Sequence, residues 1–304
     1  MSKLSLVIIL AAGDSTRMKS SQSKVLHKIA GRSLIENLLV SVDSLSPENL
    51  TVVVGAKKEE VINHLSEIAP KAKTVVQEKR DGTGSAARLA LDNHKGDGTV
   101  LILAGDTPLL TKQTLQEFLV AHKGDGNKAS VLTAQLPDPT GYGRIIRGEQ
   151  GEISKIVEEK DTTADEKDID EVNTGVYLFD ISVLRKVIGD LKSNNAQKEL
   201  YLTDAIALIN QSGEKSFAIL SNDYTETLGI NDRTQLAEAA AIMRDRINHE
   251  HMQNGVTIID PTTTWIDANV KISADAKIFP ESWLAGTTSI AANAIIGPRT
   301  TLMN

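Results

Sequence analysis

Cysteine is missing altogether from the 304 residues, which excludes thiol nucleophiles, disulfides and thiolate metal sites and is compatible with a reducing compartment. No apolar run approaches the roughly 20 residues needed to cross a bilayer. The start, Met1-Ser2-Lys3-Leu4, passes straight into a short apolar stretch rather than a signal-peptide core. Low-complexity tracts are absent too. Positive charge is in deficit: 33 Lys and Arg against 40 Asp and Glu give a net charge of -7, which argues against a nucleic-acid-coating surface. Local loops and helix ends can override that average field, so a phosphate ligand stays open. What is present is ordinary globular composition, 40% hydrophobic and 24% charged, in a chain long enough for one large domain and a smaller one.

The first hundred residues alternate. Residues 4–10 form a continuous apolar run, and 50–54, 73–76 and 99–103 repeat that character. Amphipathic, helix-like stretches at 33–45, 59–68 and 84–93 lie between them. Short apolar strands spaced by helices predict a parallel α/β sheet buried on both faces, with ligands at the strand C-termini. From about residue 129 the pattern loosens. Short β-like segments (129–134, 143–147, 153–158, 171–179) mix with a polar linker at 161–170, and a long helical stretch covers 234–251.

A repeat follows. Ile266, Ile272, Ile278, Leu284, Ile290, Ile296 and Leu302 fall at a six-residue period, and two positions after each stands Ala268, Ala274, Pro280, Gly286, Ala292, Pro298 and finally Asn304. A helix cannot keep that period on one face, and a plain strand would need period two. A parallel β-helix can, because each aliphatic residue points into a triangular prism. The segment resembles the left-handed hexapeptide-repeat β-helix, with about two coils of three hexads.

The residues with most chemistry are Leu10-Ala11-Ala12-Gly13-Asp14-Ser15-Thr16-Arg17-Met18, followed by Lys24-Val25-Leu26. An apolar strand ends in a small-residue turn, and basic residues follow. Small side chains let backbone N–H groups approach phosphate oxygens, and Arg17 and Lys24 supply charge. The spacing is not that of a Walker loop; the plain alternative is a tight strand–helix turn with solvated basic residues. Asp106, just beyond a buried strand, is either a hard-oxygen metal ligand or a cap for the turn that follows. Glu158 sits in an ordinary charge run, Glu158-Glu159-Lys160-Asp161, and Asn173 before Thr174-Gly175 suits a turn. Gly82-Thr83-Gly84-Ser85-Ala86-Ala87 fits a dinucleotide fingerprint but follows the third strand rather than the first, against a cofactor reading. His249-Glu250-His251 puts its two histidines on different helix faces. These, with His27, His64, His94 and His122, read as surface residues.

The small-residue block resembles the signature loop of the sugar-nucleotide pyrophosphorylases, L-A-A-G-x-G-T-R-M…P-K-V-L, with Ser15 in place of the second glycine and Ser23 in place of the proline before Lys24. The likeness continues in order through Gln77…Gly82-Thr83-Gly84, Ala104-Gly105-Asp106-Thr107-Pro108-Leu109 (Ala104 where tyrosine is frequent), Gly141-Tyr142-Gly143-Arg144-Ile145, Val157-Glu158-Glu159-Lys160, Val172-Asn173-Thr174-Gly175, Asn194-Asn195-Ala196-Gln197-Lys198-Glu199 and Gly229-Ile230-Asn231-Asp232-Arg233. With the hexads it covers nearly the whole chain. It is most similar to the bacterial branch that joins N-acetylglucosamine-1-phosphate uridylyltransferase to glucosamine-1-phosphate acetyltransferase.

That resemblance implies a Rossmann-like α/β nucleotidyltransferase domain with a mostly parallel sheet at 1–232, a linker helix at 233–253 and the start of a left-handed β-helix at 254–304. It implies UTP and N-acetylglucosamine-1-phosphate as substrates, UDP-N-acetylglucosamine and pyrophosphate as products, Mg²⁺ as cofactor, and a cytoplasmic role in peptidoglycan precursor supply with no nucleic acid or membrane partner. Arg17 and Lys24 would be catalytic. Leu10, Ala11, Ala12, Gly13, Lys24, Gln77, Gly82, Thr83, Ala104, Gly105 and Asp106 would cradle the nucleotide. Gly143, Glu158, Asn173 and Asn231 would read the sugar, and Asp106 and Asn231 would hold the metal. The branch's homotrimer and its acetyl transfer depend on coils further along, so weaker association or a monomer, and no acetyltransferase activity, are expected of these 304 residues. Two other readings stay open: a glucose-1-phosphate uridylyl- or thymidylyltransferase, and a non-catalytic nucleotide-sugar sensor.

Overall fold

The structure, a computed structural model, describes residues 4–13, 16–124, 126–149 and 151–304. The substitution of Ser15 for a glycine lies outside the described residues. Strand β1 (Leu4–Ala11) leads through a two-strand hairpin, β2 (Lys28–Ile29) and β3 (Arg32–Ser33), into helix α1 (Leu34–Asp43). Ser33 caps that helix in a reciprocal box with Glu36, which satisfies donors that would otherwise be orphaned. The chain then alternates through β4 (Leu50–Val54), α2 (Lys58–Ile68), β5 (Lys73–Val76), α3 (Thr83–Asp92), β6 (Thr99–Ala104) and α4 (Lys112–Gly124). Next come β7 (Ala129–Gln135), the hairpin β8 (Arg144–Arg147) and β9 (Ile153–Val157), the short α5 (Ala164–Lys167), β10 (Glu171–Asp180), α6 (Ile181–Val187), α7 (Asp204–Gln211) and β11 (Ser216–Leu220).

These strands form one nine-stranded sheet in the order β11-β7-β10-β6-β1-β4-β5, with β8 on β10 and β9 on β8. Both β4 and β6 run parallel to β1, and β10 runs antiparallel to β6 and β7. The sheet is therefore mostly parallel, as the strand grammar predicts. Its faces are both covered: Leu6 and Ile8 of β1 enter one apolar cluster and Val7 and Ile9 the other. That is why the strand reads as an unbroken apolar run instead of alternating. Each such side chain contributes about 1.5–3 kcal/mol by leaving water. The chain steps from β1 outward to β4 and β5, then returns to the other side of β1 as β6. The C-terminal ends of β1 and β6 thus flank a topological switch point, where open α/β sheets bind ligands.

Two expectations need correcting. The stretch 161–170 is not a plain linker, because Thr163 and Glu166 close a capping box on α5. His27 and His122 are buried rather than surface residues; His122 turns inward from α4 and its Nδ1 lies 2.8 Å from Ser130 Oγ, a partner contributed by β7. Among the described residues no helix is long and apolar enough to cross a membrane.

Helix α8 (Arg233–Gln253) belongs to two cores. Its first half packs with Ile29, Leu34, Leu109 and Ile230, while Ile247 joins the C-terminal cluster. There the Asn248 amide donates to the Pro261 and Thr264 carbonyls, both at 2.9 Å. Beyond it lie eight two-residue strands: β12 (Thr257–Ile258), β13 (Trp265–Ile266), β14 (Lys271–Ile272), β15 (Lys277–Ile278), β16 (Trp283–Leu284), β17 (Ser289–Ile290), β18 (Ile295–Ile296) and β19 (Thr301–Leu302). They stack in parallel on three faces, β12-β15-β18, β13-β16-β19 and β14-β17. The aliphatic second residue of each strand enters one apolar cluster, so the hexad pattern is a β-helix as read. Strand β12 extends it one rung earlier than the period reveals, because Ile258 stands off the six-residue spacing.

Candidate functional site

The site begins where β1 and β6 end together. Leu10 pairs with Ala104, and the Gly105 N–H donates to the Leu10 carbonyl at 2.9 Å. A Cβ at Gly105 would lie 3.1 Å from that carbonyl, so the close approach of the two strand ends calls for glycine. Lys24 sits on a single 3₁₀ turn (Lys24–Leu26) within a loop anchored from several sides. The Ser23 N–H donates to Glu60 at 2.6 Å, a bond a proline there could not make. Lys57 donates to the Ser20 and Gln22 carbonyls. From the first turn of α8, Arg233 reaches the Met18 carbonyl and His27 Nδ1, both at 3.3 Å. Burial, then the charges of Arg233 and Lys57, lowers the His27 pKa.

So held, the Lys24 ammonium donates to Asp106 and to Asn231 Oδ1, the latter at 3.0 Å. Asn231 arrives there because the Ile230 N–H donates to the Asp106 carbonyl at 2.9 Å. The capping alternative for Asp106 is not what the structure shows. Helix α4 starts at Lys112, and Thr111 Oγ1 accepts from Thr114 N at 3.2 Å in its place. A carboxylate and an amide oxygen converging on one cation form a hard-oxygen donor set. Such a set fits a small divalent ion that keeps most of its ligands as water and phosphate. Among the described residues no cluster of three or more His, Cys, Asp or Glu offers a metal cage of the protein's own.

The opposite wall is the turn before α3. Gln77 is buried, and its Nε2 donates to Asp81 (3.2 Å) and to the Gly82 carbonyl (3.0 Å). Both amide hydrogens are thereby used, which leaves the side-chain oxygen as an acceptor for a ligand. Gly82 has φ +109°, and a Cβ there would collide with the Leu200 backbone. That distant segment staples the turn: Gly84 N donates to Leu200 O at 2.8 Å, and Leu202 N donates to Thr83 Oγ1 at 3.0 Å.

A third group closes the cleft beside β10. Asn173 donates to the Tyr177 hydroxyl at 2.7 Å and accepts from Gly175 N at 3.1 Å. Glu158 accepts from Thr203 Oγ1 at 3.1 Å. Burial pushes its pKa up, the Thr203 bond opposes this, and Asp204, Asp161 and Glu199 add to the rise. Burial likewise raises the Tyr177 phenol. Gly143 lies alongside, with space for a Cβ only 3.5 Å from Glu158 Oε2.

The resulting cleft has a volume of about 440 Å³, within the range of small-molecule sites. Leu10, Ala11, Ala12, Gly13, Lys24, Gln77, Gly82, Thr83, Ala104, Asp106, Glu158 and Asn173 line it. Gly105 underlies it, Gly143 backs Glu158, and Asn231 reaches it through Lys24. Arg17 is exposed on the turn Thr16–Met18 and is not among the lining residues. Arg80 and Tyr177 also line the cleft, as does Glu199, which the sequence offers only as the end of a polar motif. Arg80 was hidden in the charge run after Gln77, Glu199 among polar neighbours, and Tyr177 in a strand that reads as core.

A crevice at a switch point, walled by backbone turns and set with one lysine over hard oxygens, is the kind of place where open α/β domains take phosphorylated ligands. The chain belongs to the MobA-like NTP transferase domain family, whose profile matches residues 7–158, half of its length. It is 44% identical over 301 residues to the bifunctional protein GlmU of Thermobifida fusca, which covers 97% of this chain and 62% of that protein. The counterpart from Streptomyces coelicolor is 45% identical over 299 residues, with the same two shares. That of Corynebacterium diphtheriae is 45% identical over 305 residues, 99% of this chain and 63% of that one. The chain thus spans about three fifths of the length of these relatives. Among solved structures, the inositol-1-phosphate CTP transferase from T. maritima superposes with a TM-score of 0.63 at 15% identity, covering 80% of this chain and 98% of that one. At that identity the likeness speaks for the fold.

Proposed function

We propose that this chain transfers a uridylyl group from UTP to N-acetylglucosamine-1-phosphate, giving UDP-N-acetylglucosamine and pyrophosphate, in the cytoplasm and as supply for peptidoglycan. The observation that carries the reading is the convergence of Lys24, Asp106 and Asn231 at the β1/β6 switch point. The ordered identity to the GlmU proteins over nearly the whole chain supports it.

The nucleophile is a sugar-phosphate oxygen, anionic at neutral pH, so no general base is needed. It attacks the α-phosphorus of UTP, the bond to the bridging oxygen breaks, and pyrophosphate leaves with that electron pair. Catalysis then rests on alignment and neutralisation of charge. Leu10 to Gly13 and Ala104 to Gly105 supply backbone close to the phosphates, and Lys24 supplies positive charge where it grows. Arg17, on its exposed turn, would reach the triphosphate from outside. Gln77 offers its oxygen to the uracil edge from a turn set by Gly82 and Thr83. Gly143, Glu158 and Asn173 face the sugar. Asp106 and Asn231 would hold a divalent ion, Mg²⁺ in this reading, which supplies further neutralisation of the triphosphate.

The test is pyrophosphate release with UTP or dTTP against N-acetylglucosamine-1-phosphate or glucose-1-phosphate. Turnover is expected to be fastest with UTP and the N-acetylated sugar. Preference for dTTP or for the unacetylated sugar would overturn the substrate assignment, and no release from any pair would leave a binding protein.

A further inference from the structure

Arg144 heads the fully buried side chains by size, with 2% exposure. Arginine is almost never buried to that degree unless paired, and desolvating it costs several kcal/mol. Its guanidinium is 2.8 Å from the Glu159 carboxylate and donates to the Tyr142 carbonyl. Its Nε is buried with no hydrogen-bond partner among the described residues. Stability alone would not select that arrangement. Apolar residues of similar volume hold such positions as well or better.

The register of the β8/β9 hairpin shows what the pair does. Arg144 faces Val157 across the ladder, so one step further Gly143 faces Glu158. The 3.5 Å separation of a Gly143 Cβ from Glu158 Oε2 agrees. Each wall residue is therefore the chain neighbour of one ion-pair partner: Gly143 of Arg144, and Glu158 of Glu159. The Gly143 carbonyl also accepts from Asn173 N at 2.8 Å, which joins the third wall residue to the same backbone.

We propose that the Arg144–Glu159 pair is a positioning lock that sets the sugar-side wall and thereby the choice among hexose 1-phosphates. The inference rests on the assignment of Gly143 and Glu158 to the sugar. One guanidinium nitrogen, Nη1, meets both the Glu159 carboxylate and the Tyr142 carbonyl, and the rigid planar group behind it fixes their direction as a freely rotating ammonium or an apolar contact does not. Arg144 acts through its neighbours and does not itself line the cleft.

Three variants test it: Glu159→Gln, Arg144→Lys and the apolar pair Arg144→Met/Glu159→Leu. Glu159 is 31% exposed, so the first should fold. In each, the KM for N-acetylglucosamine-1-phosphate should rise about tenfold and its preference over glucose-1-phosphate should shrink, a range typical of altered pocket contacts. The KM for UTP should stay within about threefold. The apolar pair should match wild type in melting temperature without regaining sugar preference. Wild-type sugar KM and preference in Glu159→Gln, or in the apolar pair, would overturn the lock. If wild type itself turns over no sugar phosphate, the functional reading fails separately. Amide exchange then decides the lock: the amides of residues 142–144 and 157–159 should exchange faster in Glu159→Gln, and unchanged rates would overturn it.

Discussion

The amide oxygen of Asn231 lies 3.0 Å from the Lys24 ammonium, across 207 positions of sequence, and the same ammonium meets Asp106. Neither oxygen belongs to the apolar core. Asp106→Ala and Asn231→Ala should therefore melt close to wild type while losing nucleotidyl transfer by ~10²-fold or more. Retention of a tenth of wild-type kcat at saturating divalent metal would remove the site from the chemistry.

Lys24→Ala should lower kcat more than it raises the UTP KM, since charge on the transferring phosphorus grows toward the transition state. A change in KM alone would make Lys24 a ground-state anchor. Steady-state kinetics with UTP varied settles which.

Gln77→Glu removes both hydrogens that hold Asp81 and the Gly82 carbonyl and sets a carboxylate against Asp81. The base-side turn should loosen and UTP affinity should fall by about tenfold or more, consistent with the loss of two buried bonds. Direct titration with UTP checks this; unchanged affinity would detach Gln77 from base recognition.

Glu158 gives a pH signature of one sign. Its folded pKa stands above the ordinary 4.5, so the folded chain binds the extra proton between those values. Above the raised pKa the partly buried carboxylate weakens the fold, and the penalty lifts as pH falls through that value toward 4.5. Glu158→Gln should accordingly melt higher than wild type at pH 8, and the two curves should converge in acid. A constant difference across the series would show that the residue does not titrate in this window.

His122 gives the opposite sign. Burial, then the Lys123 charge, lowers its pKa from 6.5 to about 4, so the folded chain keeps it neutral where the unfolded chain is protonated. Its contribution is complete above pH 6.5 and is lost as pH falls toward 4, amounting to about 3 kcal/mol over that span. His122→Gln keeps a partner for Ser130 but does not titrate. Urea unfolding of both proteins should show the wild type losing stability faster between pH 7 and 4.5; parallel losses would refute the assignment.

The strand grammar was legible because a parallel strand covered on both faces reads as an unbroken apolar run: β4 begins and ends where its run does, and the half-exposed edge strand β5 keeps to its short run as well. The hexads were legible because a six-residue aliphatic period fits neither a helix nor a plain strand, until Ile258 left the period. Helix α5 is hidden in a polar stretch, where the capping box of Thr163 and Glu166 is its one signal. His27 and His122 were misread because burial of a histidine depends on partners from other elements, Arg233 and Ser130, that spacing does not show. At the site, single letters carried backbone roles well, as at Gly82 and Gly105. They did not carry partnership. Ser23 read as a lost proline, yet its N–H is used, and Arg144 read as one letter of a motif, not as half of a buried pair.

The staple of the Gly82 turn by residues 200–202 has a consequence for how the protein is born. Strands β1, β4, β5 and β6 leave the ribosome early and form one contiguous half of the sheet, but their crevice still lacks two walls and a ligand for the lysine. Leu200 must follow before the base-side turn is fixed, and Asn231 before the Lys24 ammonium has its second oxygen. At typical rates of elongation that interval is on the order of ten seconds. Through it the nascent chain carries Lys24 beside Asp106 without a finished pocket, so binding competence arrives late and nearly all at once, long after the sheet that will bear it.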